Sequence, residues 1–242
     1  MAHFGFPLET IIVFFAVILF SIYMDLVAHK NSEEITVKNA AMWSLFWISL
    51  AVAFYVYLYI RFDASWADLY LAGYVLEKSL SIDNLMVFVA IFASFGITGK
   101  LQHRILYWGI LGALVFRAIF VMLGTGLFAA SPWVGFIFAL FVLWSGWKML
   151  TTKGEAEEEI EEAEELANVT RKGLRYATPA FLCLIAIETS DVAFAFDSVP
   201  AVIAVTQEPL LVYAAMIFAI LGLRSLYFIL AALTKYLVHL EK

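Results

Sequence analysis

The chain has 242 residues, of which 64% are hydrophobic and only 15% charged, with a formal net charge of −6 and a mean hydropathy of +0.90. A water-soluble core of this length cannot hide that much apolar surface, and the acidic balance offers no footing for nucleic acid. Apolar stretches of about 20 residues recur along the chain, and that length of helix crosses the hydrocarbon of a bilayer, so lipid is the solvent.

Seven spans are predicted, at residues 7–28, 39–60, 66–95, 105–128, 132–150, 178–205 and 210–233. No Lys or Arg precedes the first, so it reads as a retained helix rather than a cleavable signal. The single cysteine, Cys183, falls inside the sixth span; it reads as a small hydrophobe, and one cysteine permits no disulfide within the chain. Basic residues in the connections set the orientation. Lys30, Lys38, Lys100, Arg104, Lys148, Lys153, Arg171, Lys172, Arg175, Lys235 and Lys242 fall on one side, against Arg61 alone on the other. The expectation is a multi-pass protein of the cell's inner (plasma) membrane, N-terminus outside and C-terminus cytoplasmic.

The one long connection, 151–177, is dominated by eight glutamates: Glu155, Glu157, Glu158, Glu159, Glu161, Glu162, Glu164 and Glu165. It reads as a cytosolic helix or a mobile linker, and such charge runs are usually solvated and self-repelling. It divides the chain into halves that repeat one another. Glu77, Asp83, Asn84 and Leu85 on the third span match Asp191, Asp197, Ser198 and Val199 on the sixth at the same spacing. Each set is followed on the next span by Ile-Leu-Gly and an arginine: Ile110, Leu111 and Gly112 with Arg117, then Ile220, Leu221 and Gly222 with Arg224. A repeat of three helices, an odd number, must cross the membrane in opposite directions, as in secondary transporters that place their substrate site between inverted repeats. The expected fold is therefore an all-α polytopic bundle of four parts: two N-terminal helices (1–62), a first three-helix repeat (63–150), the acidic linker (151–177) and a second repeat with two helices (178–242).

An ionised side chain at bilayer depth costs about 2.5–3.5 kcal/mol on insertion scales, so each needs a partner or a use. Glu77, Asp83, Glu188, Asp191 and Asp197 face Lys78, Arg117 and Arg224. The excess of two negative charges matches one divalent cation or two bound protons. Oxygen donors from Asp, Glu, Asn and Ser suit magnesium, calcium or manganese, whereas zinc and copper recruit His and Cys. The four histidines, His3, His29, His103 and His239, fall at span ends or in connections. Glu188 and Asp191 share a helix face, but Asp197 lies about 120° round from Asp191 on a straight helix. Pro200 can bend or unwind the sixth span and so bring them together, freeing backbone carbonyls as further ligands. The alternative is an ion-pair network that only fastens helices, with Arg117 and Arg224 as its counter-charges; for the two arginines it is the preferred reading. Gly109 with Gly112, and Gly124 with Gly126, read as close-packing points.

The stretches GYVLEKSLSIDNLMVFVAIF (73–92), QHRILYWGILGALVFRAIF (102–120), ETSDVAFAFDSVPAVIAVT (188–206) and IFAILGLRSLYFILA (217–231) resemble the TerC family, close to its Alx-like members. The likeness runs over residues 40–233. The family, named for tellurium resistance, looks like manganese exporters of the LysE transporter superfamily. At matching positions the resemblance points to Glu77, Asp83, Asn84, Glu188, Asp191, Asp197 and Ser198 as metal-binding polar residues of the ion path. It implies a metal-efflux transporter and not an enzyme. The transported manganese would be the ligand, with no tightly bound cofactor, a lipid bilayer as partner and room for a homodimer. Family members usually continue past Lys242 with another span or two ending in a motif like Gly146-Trp147-Lys148-Met149-Leu150, so the second repeat is expected to be incomplete here. Rival readings are an exporter of a small organic solute, which the oxygen-only acidic site disfavours, and a membrane assembly or scaffold protein. An intramembrane aspartyl protease lacks its Gly-x-Gly-Asp signature here.

Overall fold

A computed structural model describes residues 6–28, 37–151, 155–173 and 177–240. Nine helices are found among them: α1 (Leu8–Ala28), α2 (Val37–Arg61), α3 (Ala64–Phe95), α4 (Lys100–Ala130), α5 (Pro132–Thr151), α6 (Glu155–Gly173), α7 (Pro179–Thr206), α8 (Pro209–Ile220) and α9 (Leu223–Leu240). The molecule is a helical membrane bundle. Val37–Arg61, Lys100–Ala130, Pro179–Thr206 and Pro209–Leu233 are long and apolar enough to cross a bilayer, and Leu8–Ser21 and Trp133–Trp144 are shorter apolar helices. With 32 residues, α3 is about 48 Å long, and its charged residues keep it from counting as purely apolar.

Local signals explain the helix ends. Asp63 caps α3 by accepting from the Trp66 N–H at 3.1 Å, and Gly96, with φ 65°, closes it in the left-handed region that glycine enters at no steric cost. Thr178 caps α7 ahead of Pro179, which suits the first turn because its missing N–H is not needed there.

Contacts along the helices fix their directions. Near the start of α3, the Leu69 carbonyl accepts from Thr206 Oγ1 at the end of α7, at 3.2 Å. The far half of α3, through Phe88, shares a cavity with Ile187 from the first half of α7. So α3 and α7 are antiparallel. Cβ atoms built on Gly109 and Gly124 of α4 would meet Ile187 and Ile203 of α7, in rising order on both, so α4 and α7 are parallel. Gly73 faces Ala215 and Lys78 reaches Ala219, so α3 also runs parallel to α8.

Two apolar clusters make the core. One gathers Tyr70 and Tyr74 of α3, Ala195, Val199, Val202 and Ile203 of α7 and most of α8, with Trp47 and Phe54 of α2. The other gathers Leu85, Phe88, Ile91, Phe92 and Phe95 of α3, Leu182, Cys183, Ala186 and Ile187 of α7, Leu106 of α4, Tyr227 of α9 and Ala167 of α6. Between them, Glu77 and Ser81 of α3 and Ser190 and Asp191 of α7 form a buried polar stretch, joined by the buried Arg117 of α4.

Two expectations change. The sixth span does not break at Pro200: α7 is helical throughout Pro179–Thr206 with Pro200 inside it. The break is in the seventh span, where α8 stops at Ile220 and α9 starts at Leu223. Of the two readings of the acidic segment, the helix is the one observed. The Ala167 side chain of α6 is buried in the second cluster, while Glu161, Glu162, Glu164 and Glu165 are exposed; the side chains of Glu155, Glu157, Glu158 and Glu159 lie outside the described residues.

Candidate functional site

The polar layer is organised by Arg117, which α4 carries to the point where α3 and α7 meet. Its guanidinium donates through Nη1 to Glu77 Oε1 and through Nη2 to Asp191 Oδ1 at 3.1 Å. Glu77 is fully buried, Arg117 is 1% exposed and Asp191 7%. The planar fork of arginine suits this task, because two N–H groups leave it in fixed directions toward two carboxylates. The expected counter-charge role of Arg117 is thus seen directly. Arg224 is also buried, at the start of α9.

The third carboxylate enters through a gap left by glycine. A Cβ built on Gly112 of α4 would fall on the carboxylate of Glu188, so the side chain occupies space that every other residue type at position 112 would fill. Gly112 was expected to be a packing point, and what it admits is an acid. The signal was present, since Ile-Leu-Gly recurs at positions 110–112 and 220–222, but not its meaning. Beside Asp191, Gly109, Ile110, Ile187, Ile220 and Leu223 help to line a cavity of about 20 Å³, room for about one water-sized species.

Several buried oxygens in this layer have no hydrogen-bond partner among the described residues: Glu77 Oε2, Glu188 Oε2, Asp191 Oδ2, Ser81 Oγ and Ser198 Oγ. A buried polar atom without a partner is costly, and native proteins keep few of them. These oxygens are carried by α3 and α7, the two helices that Arg117 bridges.

The other residues picked from the sequence are placed differently. Asp197 is exposed on α7 and Asn84 half-buried on α3. Ser198 is buried, on another face of α7 from Asp197. The Asp83 side chain lies outside the described residues; its backbone belongs to α3. Among the described residues no group of three or more His, Cys, Asp or Glu side chains stands in an arrangement able to hold a metal ion. The reason is geometric: with α7 continuous through Pro200, Asp197 stays on its own face, and Arg117 already takes one oxygen each of Glu77 and Asp191.

One polar contact was not foreseen. Lys78 Nζ donates to the Ala219 carbonyl at 2.9 Å, at the end of α8.

Comparison with known proteins places this architecture. The family model described as "Integral membrane protein TerC family" matches residues 62–242. The tellurium resistance protein TerC of Serratia marcescens is 47% identical over 99% of this chain and 81% of its own length, and that of an Alcaligenes species is 44% identical over the same shares. A protein described as the membrane-bound redox modulator Alx, of Escherichia coli (strain K12), is 37% identical over 90% of this chain and 75% of its own. No solved structure matches. A buried acidic layer on antiparallel membrane helices, together with a family match over three quarters of the sequence, leads to one assignment: this chain belongs to the TerC family of integral membrane proteins.

Proposed function

We propose that this protein is a transporter that exports a divalent cation, manganese foremost, from the cytoplasm, with protons returning through the same acidic path. One observation carries the reading. Arg117 bridges Glu77 and Asp191 in a buried layer, Glu188 lies one helical turn before Asp191 on α7, and each of the three acids keeps a buried oxygen without a hydrogen-bond partner among the described residues. An all-oxygen, acid-rich donor set suits a hard divalent cation. Asp83 and Asp197, at matching positions of the antiparallel helices α3 and α7, are proposed as the paired carboxylates of the path, with Asn84 and Ser198 as further oxygen donors.

The relatives' names suggest two other activities, and the residues favour neither. A tellurium oxyanion would meet like charge in this layer. Thiol redox chemistry needs an accessible sulfur, whereas Cys183, the single cysteine of the chain, is completely buried in the second apolar cluster.

The test is flux in proteoliposomes, comparing manganese with magnesium, calcium and zinc, with and without a pH gradient. Manganese flux is expected in the wild type and its loss in Asp83→Asn and in Asp197→Asn, both still inserting and purifying normally. Carboxylates must be deprotonated to bind metal, so manganese affinity should fall as pH drops from about 8 to about 5. Normal transport by either variant, or binding insensitive to pH in that range, overturns the proposal and leaves the scaffold reading.

A further inference from the structure

The break in the seventh span is built, and its residues say what holds it. The helical ladder runs up to the bond from the Leu221 N–H to the Ile217 carbonyl (2.9 Å) and resumes with the Leu226 N–H to the Gly222 carbonyl (3.0 Å). Gly222 has φ 84°, which side-chain-bearing residues rarely adopt. The space a Cβ would need there is taken by Trp47 of α2, whose Cδ1 would lie 2.7 Å from it. Ile220, Leu221, Gly222 and Leu223 are all buried.

Ending a helix inside the bundle exposes the last carbonyls of α8 with no water to satisfy them, and the end of the half-helix carries about half a negative charge. In uninterrupted helix the Ala219 carbonyl would accept from the N–H four residues on, at Leu223. It accepts instead from Lys78 Nζ, at 2.9 Å. Lys78 neighbours Glu77, but Glu77 is turned to Arg117, so the ammonium is directed to the helix end rather than to its neighbour's carboxylate. An ammonium brings one compact positive charge and three donors. A free sodium or potassium ion at the carbonyl end of a broken membrane helix supplies the same charge.

We infer that Lys78 is a tethered substitute for a monovalent inorganic cation at the carbonyl end of α8, a positioning residue that holds the α8–α9 break without sodium or potassium. The inference concerns the end of α8 and is independent of what the acidic layer carries.

Thermal unfolding of the full chain in detergent tests it, in sodium, potassium or choline chloride at equal ionic strength. The wild type should unfold at the same temperature in all three. Lys78→Met should be less stable in choline and regain at least about 5 °C, saturably, with sodium or potassium, the shift expected of a ligand well above its Kd in a chain of this size. Lys78→Arg should behave as wild type, keeping a tethered charge. Lys78→Gln retains a neutral donor and should resemble Lys78→Met. Wild-type stability in Lys78→Gln would reduce the contact to a plain hydrogen bond and overturn the inference. So would a Lys78→Met protein that shows no preference for sodium or potassium over choline, or that fails to fold in all three salts, since a free cation then does not replace the ammonium.

Discussion

Arg117 donates to Glu77 on one side and to Asp191 on the other, and all three groups are buried. Taking such charges out of water is expensive, so the triad adds little net stability compared with apolar residues of the same shape; removing one member is another matter, because the others are left buried and uncompensated. Arg117→Met should therefore lower the unfolding free energy by about 3–5 kcal/mol, read from thermal or denaturant unfolding in detergent. Arg117→Lys should recover only part of it, since a single ammonium cannot fork between two carboxylates. Adding Glu77→Gln to Arg117→Met should restore some of the loss. An Arg117→Met protein as stable as wild type would show that the three groups are held by something other than their mutual charge. At this scale the sequence told which residues matter and not which touch. Glu77, Asp191 and Arg117 stood out as charges inside apolar spans, but their pairing depends on the register of three helices 40 and 74 positions apart in the chain. Asp197 stood out equally and is exposed on another face of α7.

Hydropathy set out the apolar helices well because it measures their solvent, lipid, directly. Their interruptions were misread for a physical reason. Proline removes one donor and crowds one carbonyl, which a membrane helix can absorb by small local adjustments of its backbone, and α7 passes through Pro200 intact. Gly222 gives only permission to leave helical geometry; what uses that permission is Trp47, 175 positions away and packed into the gap, and no window of local sequence contains both. The acidic segment shows the same limit. Its glutamates mark a wet surface, and Glu161, Glu162, Glu164 and Glu165 are exposed on α6, yet Ala167 two residues beyond docks this helix into the bundle. The two ends of α6 should therefore respond differently to change. Deleting residues 155–165 should leave metal flux within a few fold, whereas Ala167→Glu, which forces an unpaired carboxylate into the apolar cluster, should cost more than about 2 kcal/mol in thermal unfolding. Complete loss of flux on the deletion would instead give the glutamates a sensing or docking role.

At the scale of the whole molecule, α7 is the element from which sidedness follows. It antiparallels α3, parallels α4 and separates α6 from the connection at Gln207 by its full 28 residues, about 42 Å of helix and more than the hydrocarbon thickness of a bilayer. Ile160 on α6 and Gln207 must then lie on opposite faces of the membrane, whichever way the bundle is inserted. The direction is an expectation from charge: short basic connections stay in the cytoplasm, which would put the end of α3 and the start of α4, with Lys100 and Arg104, on the inner face. The Cys183 thiol is completely buried, so a Cys183→Ala background removes it as a target at the cost of a small cavity. Into that background Gln207→Cys and Ile160→Cys are introduced separately, and intact cells are treated with a membrane-impermeant maleimide. Position 207 should label from outside, and position 160 only after the membrane is opened. Labelling of both from the outside would contradict the helical crossing by α7 itself; labelling of 160 alone from the outside would keep the crossing and reverse the insertion, and manganese moving along the proposed path would then be taken up rather than exported.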